Sequence, residues 1–228
     1  MSTILHESSR SRILLIQSPE AEPRVLKQFR SASPDAEKEW GVELPEVPGL
    51  LRPLEKGREA GIPWLALPYC SRGSLRDRLK KDGRLSPAAV TFLLSDLRRG
   101  LDALHGQGLV HRDLSPGNLL YDLGSNVLLA DFGCLLKAGE TPDIPRDGLG
   151  TPAHAHPRQL IGDPAAPAHD LYALGSICYE SLSGEAPYAA ETPERLAVLK
   201  LRGRPRPLAE FGIPEPLARQ VEELMGFS

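Results

Sequence analysis

Over the first third of the chain, apolar residues fall in short runs of strand length. Thr3–Leu5, Ile13–Gln17 and Arg24–Phe29 are followed by Leu50–Leu54 and Pro63–Leu67. One helix interrupts them. Ser33 is a suitable cap, Pro34 fits the first turn, and Pro45 stops the helix. The pattern then changes period. After Ser86-Pro87, the residues Val90, Phe92, Leu93, Leu97, Leu101 and Leu104 recur at helical spacing up to His105-Gly106. Two short strands are predicted around Leu119–Tyr121 and Val127–Ala130, then a helix from about Asp170 to Ser183 and another near Glu215–Met225. A strand-rich front and a helix-rich back predict an α+β domain of two lobes with a cleft between them.

Composition narrows the class without naming a function. The 228 residues are 41% hydrophobic and 25% charged, with a net charge of -3. A sizeable core is available, and the balance points to neither nucleic acid nor an anionic membrane as partner. Apolar runs such as Ile13–Ile16 are far shorter than the roughly 20 residues that span a bilayer, and Met1–Arg12 does not read as a secretory signal. Cys70, Cys134 and Cys178 are odd in number and widely spaced, which fits reduced cytoplasmic thiols better than a disulfide frame or a zinc site. The 22 prolines and 21 glycines punctuate loops between apolar segments.

The chemistry concentrates in Val110–Gly133, which reads VHRDLSPGNLLYDLGSNVLLADFG. His111-Arg112-Asp113 with Asn118 fits the pattern H-R-D-x-x-x-x-N, and Asp131-Phe132-Gly133 comes after it at the spacing of a strand, a turn and a strand. Either motif alone is weak; the two in order are specific. On these residues the chain resembles the protein kinase family. The resemblance implies a two-lobed fold over residues 1–228, with a small antiparallel sheet and one helix in 1–68. It places a helical lobe in 69–228, cut short of the family's terminal helices.

It also implies ATP and Mg²⁺ or Mn²⁺ as cofactors and a protein hydroxyl as acceptor, Ser/Thr before Tyr. Asp113 would orient the attacking hydroxyl and accept its proton. Asp131 and Asn118 would hold the metal, because hard cations prefer oxygen ligands. Arg24-Val25-Leu26-Lys27 resembles the strand whose lysine meets the phosphates. Glu37 and Glu39 both qualify as its carboxylate partner; Glu37 is favoured because Trp40 and Leu44 share its helical face. Backbone groups of Pro68, Tyr69 and Cys70 would bind adenine, with Leu67 at the gatekeeper position. Ile13, Val25 and Leu120 would enclose the ring. Asp170 would brace the catalytic loop, Phe132 would pack under His111, and a phosphate on Thr141 would face Arg112.

Several positions depart from the family pattern. His6, Ser8 and Ser11 stand where the phosphate-covering loop carries glycines, which predicts weaker ATP binding. Ser115 stands where Ser/Thr kinases usually carry lysine. Arg158 replaces the glutamate of A-P-E, and the chain stops before the helix that would bear its arginine partner. Losing both halves of such a pair together is nearly neutral, so a naturally minimal domain is expected. These departures keep a nucleotide-binding pseudokinase open as an alternative, with a small-molecule phosphotransferase of the same fold as a third. The cytoplasm is the expected location, that of a host cell included.

Overall fold

The computed structural model describes residues 2–142 and 152–227. Five strands, β1 (Ser2–Glu7), β2 (Ser11–Ser18), β3 (Ala21–Phe29), β4 (Glu55–Glu59) and β5 (Ile62–Pro68), form one antiparallel sheet in the order β1-β2-β3-β5-β4. Helix α1 (Pro34–Gly41) packs against β5, capped by the Ser33 hydroxyl, which accepts the Ala36 N–H. Ile13 pairs with Lys27, Lys27 with Leu65, and Val25 with Leu67. Because strand side chains alternate, these residues share one face of the sheet.

The remaining elements are mainly helical. α2 (Leu75–Asp82) and α3 (Pro87–Gly106) precede the two-strand pairs β6 (Leu109–Val110) with β9 (Leu136–Lys137) and β7 (Leu119–Tyr121) with β8 (Val127–Leu129). α4 (Pro157–Leu160), α5 (Pro167–Ser183), α6 (Pro193–Arg202), a 3-10 turn (Leu208–Phe211) and α7 (Glu215–Leu224) complete the fold. The α3 stripe buries Val90, Leu93, Leu97, Leu101 and Leu104 against α5, whose Leu174, Ile177 and Leu182 are fully enclosed. The architecture is α+β, as expected. Among the described residues no helix is long and apolar enough to cross a membrane.

The strand expected at Leu50–Leu54 is not a strand. Leu50 and Leu51 are buried at the joint between the sheet and the helical part, where Leu51 N–H donates to Leu129 O at 2.8 Å. The strand comes later, at β4, whose sequence EKGRE shows no apolar run because it lies at the sheet edge, mostly exposed. Its Gly57 has a packing reason: a Cβ there would lie 2.4 Å from the Trp64 ring. Gly49 is forced twice over, by φ +92° and by Asp96 O, which a Cβ would meet at 2.4 Å.

Candidate active site

The cleft is organised around Lys27. Strand β3 carries it to the inner face of the sheet, where 8% of the residue stays exposed. Its Nζ lies 2.7 and 2.8 Å from the two carboxylate oxygens of Glu39 and 3.1 Å from Asp131 Oδ1. The expected partner Glu37 is corrected to Glu39. Glu37 turns outward to Arg58 of β4, at 2.5 and 2.8 Å, with its side chain 39% exposed against 7% for Glu39. The helix is the reason. It ends at Gly41, so Leu44 is not part of any helical face, and the inward stripe is Ala36, Glu39 and Trp40 at i, i+3 and i+4.

The three charges set one another's states. Burial opposes the charge on Lys27, but Glu39 and Asp131 outweigh it and hold the amine above the usual lysine value. Burial pushes Glu39 up to about 7 against the pull of Lys27. Burial also works against Asp131, yet Lys27 keeps that carboxyl below its ordinary value. Asp131 sits deep in the cleft but opens onto it, with 47% of its side chain exposed.

Across the cleft lies the loop bearing Asp113. Asn118 Nδ2 donates to Asp113 O at 2.8 Å and to Asp113 Oδ2 at 3.0 Å. Arg112 and Asp131 both take left-handed backbone, φ 68° and 66°, each at a cost of about 1–3 kcal/mol. The Arg112 conformation is over-determined by its neighbours. Asp170 accepts the N–H groups of His111 and Arg112 at 2.8 Å each and sits 2.9 Å from His105 Nε2, while Gln159 donates to Arg112 O at 2.6 Å. The His111 and Phe132 rings meet edge to face at 5.2 Å, with Phe132 buried.

The donor set suits a divalent cation that arrives with phosphates. Among the described residues no group of three or more His, Cys, Asp and Glu could cage a metal. Mg²⁺ needs no such cage, since one or two carboxylates plus phosphate and water oxygens suffice. Asp131, open to the cleft, and Asn118 are the residues that fit.

Of the residues expected to bind adenine, Ile13, Val25 and Leu67 share the Lys27 face of the sheet. Val25 and Leu67 are direct cross-strand partners, Ile13 pairs with Lys27, and half-buried Leu120 on β7 bridges to Ser74. Pro68 ends β5 and Tyr69 comes next, half-buried. Cys70 O accepts Gly73 N–H at 3.1 Å, and burial pushes the Cys70 thiol up to about 11, so it is not a nucleophile. Behind Leu67, a cavity of about 20 Å³ is lined by Leu44, Leu51, Leu65, Phe132, Glu39 and Asp131 among others. That is room for one water.

The β1–β2 turn carries the loss of its glycines in its hydrogen bonds. The Ser8 hydroxyl accepts the N–H groups of Arg10 (3.2 Å) and Ser11 (3.1 Å), and Ser11 O accepts Ser8 N–H at 2.9 Å. Two amides of this turn are thereby engaged by its own side chain. Arg12 is held by Glu7 at 2.9 Å. His154 and His156 form no metal pair: His154 contacts Ser176 and Glu180, and His156 stacks on His169. Arg158 is exposed beside Asp163, 3.3 Å away. Gly150 and Thr151 lie outside the described residues. Gln159 and His105, which support the His111–Asp113 loop directly and through Asp170, are not among the residues expected from the sequence. Neither carries a local signal.

Comparison with known proteins bears on the same region. A family model described as protein kinase domain matches residues 52–217. The serine/threonine-protein kinase PknA of Mycobacterium tuberculosis is 31% identical over 89% of this chain and 48% of its own length. PknL of the same organism is 35% identical over 67% of this chain and 38% of its own length. The serine/threonine-protein kinase drp72 of Corynebacterium efficiens is 31% identical over 72% of this chain and 31% of its own. The chain thus spans about half or less of the curated relatives it matches. With the family model extending over well over half of its residues, this chain belongs to the protein kinase family.

Proposed function

We propose that this chain transfers the terminal phosphoryl group of ATP to a serine or threonine hydroxyl on another protein, with Mg²⁺ or Mn²⁺ in attendance. The observation that carries the reading is the convergence of Lys27, Glu39 and Asp131 within 3.1 Å, facing a loop in which Asn118 holds Asp113. Phosphoryl transfer asks for positioned charge more than for covalent chemistry. Lys27, held by Glu39, supplies a fixed positive charge for phosphate oxygens. Asp131 and Asn118 supply oxygen ligands to the metal, which neutralises charge developing on the phosphoryl group. Asp113 orients the acceptor hydroxyl and takes its proton. Ile13, Val25, Leu67 and Leu120 present apolar surface to adenine, with backbone groups of 68–70 for its hydrogen bonds. The names of the relatives support Ser/Thr over Tyr. Three unpaired thiols support a reducing compartment such as the cytoplasm.

A second reading is favoured by the engaged amides of the β1–β2 turn and by Ser115, which is buried where a lysine would reach the transferring group. On it the chain binds nucleotide without turnover. Incubation with γ-labelled ATP, Mg²⁺ or Mn²⁺ and a panel of basic proteins, with an aminoglycoside as acceptor in a parallel reaction, separates the two. Labelled phosphoserine or phosphothreonine, lost in Asp131→Ala, supports the kinase. Thermal stabilisation by ATP with no label transferred supports the second reading, and label on an aminoglycoside alone rejects a protein acceptor.

A further inference from the structure

Helix α6 buries a lysine and exposes its neighbouring apolar residues. It exposes Val198, Leu199 and Leu201 at 48, 44 and 53%, yet buries Lys200 to 5% beside Leu196 and Ala197. Among the described residues no carboxylate acts on Lys200. Its Nζ instead reaches three main-chain carbonyls of one short segment: Pro152 O at 2.9 Å, Ala153 O at 2.8 Å and Ala155 O at 2.7 Å. An ammonium has three N–H donors and no acceptor, so every donor is matched. The Tyr172 ring, 5.5 Å from Nζ, lies on the other side. A buried cation is costly unless something specific holds it, and here what holds it is that backbone.

The segment leads directly to the catalytic loop. His154 within it is fixed to α5, 3.1 Å from both Ser176 Oγ and Glu180 Oε2. Two residues beyond Ala155, α4 begins, and its Gln159 donates to Arg112 O, next to Asp113. The position where the family pattern puts a buried glutamate holds exposed Arg158, so that anchor is absent. We propose that Lys200 is a positioning residue: from α6 it holds the 152–155 backbone, and through it fixes the surface on which a protein substrate lies relative to Asp113. The inference rests on the kinase reading for its substrate, though not for the clamp itself.

Two measurements on the full chain test it, comparing wild type, Lys200→Met and Lys200→Arg. The first is hydrogen exchange by mass spectrometry. Peptides covering 152–160 are expected to exchange about tenfold faster in Lys200→Met, with α3 peptides unchanged and the arginine variant in between. The second is steady-state transfer to myelin basic protein. There kcat/KM for the protein acceptor is expected to fall about tenfold or more in Lys200→Met, while KM for ATP stays within about twofold. Unchanged exchange at 152–160 overturns the proposal, and so does a parallel loss for ATP and acceptor. If Lys200→Met unfolds as a whole, Lys200→Gln keeps two N–H donors and takes its place, with the same outcomes deciding. Absence of transfer by the wild type alongside the exchange difference rejects the kinase reading and leaves the clamp standing.

Discussion

Two buried lysines hold this molecule's working parts, and they are kept in opposite ways. Lys27 in the cleft sits among carboxylates, 2.7 Å from Glu39 and 3.1 Å from Asp131. Lys200 under the 152–155 segment is held by three carbonyl dipoles, with the Tyr172 ring 5.5 Å away. In the first, opposite charge wins and the amine is held above its ordinary value. In the second, the three carbonyls favour the charged form but burial outweighs them, and the amine is drawn down to about 7, with His156 and Tyr172 as titratable neighbours. A charge cluster suits a site that must receive an anionic ligand and a metal, because those arrivals redistribute its charges. A dipole clamp suits a joint that must hold one backbone shape whatever is bound.

Removing each amine should have unequal effects. Lys27→Met leaves Glu39 buried without its partner, and the loss of one half of such a pair costs about 3–5 kcal/mol; denaturant unfolding of the folded variant measures it. Lys200→Met leaves carbonyls rather than a charge and should cost less. If the two losses are equal, the contrast between the sites fails.

Their pH dependences should run in opposite directions. Glu39 has a folded pKa near 7, above its ordinary 4.5. Between those values the native state binds more protons, so its contribution to stability falls as pH rises from about 4.5 to 7. Lys200 has a folded pKa near 7, below its ordinary 10.5. There the unfolded state binds more protons, so its contribution rises from about pH 7 to 10.5. Unfolding free energies against pH, with Glu39→Gln and Lys200→Met as references, should show the acid slope vanish in the first variant and the alkaline slope vanish in the second. kcat/KM for ATP should likewise lose an acid limb near pH 7 in Glu39→Gln.

Smaller effects sharpen the cleft half of the comparison. Ser8→Gly frees the amides of Arg10 and Ser11 and should tighten ATP binding about threefold to tenfold by calorimetry, the worth of one net hydrogen bond. Glu37→Gln should leave ATP affinity and transfer within about twofold of wild type, because its partner Arg58 is a surface group. A large loss there would restore Glu37 to the cleft.

What the sequence disclosed was whatever local chemistry encodes. Ser33-Pro34 and Ser86-Pro87 mark two helix starts to the residue, and Asp131 of the second motif lies 3.1 Å from Lys27. Apolar periodicity predicts neither α2, although Ser74 and Asp77 form a capping box, nor α6, although Thr192 caps it. Strand β4 was hidden because an edge strand needs no apolar run. The choice of Glu37 over Glu39 failed on helix length, which decides which residues share a face. Lys200 was beyond reach: a lysine between Leu199 and Leu201 reads as the solvated side of a helix, and only the tertiary fold turns it inward.

The most direct test of the central claim is single-turnover transfer of labelled phosphate to a protein acceptor by wild type and Asp113→Asn, with ATP binding measured on the same preparations. The account predicts transfer by the wild type and a loss of about a thousandfold in the variant, with ATP binding retained in both. Transfer that persists in Asp113→Asn, or a wild-type cleft that binds no nucleotide, would contradict it.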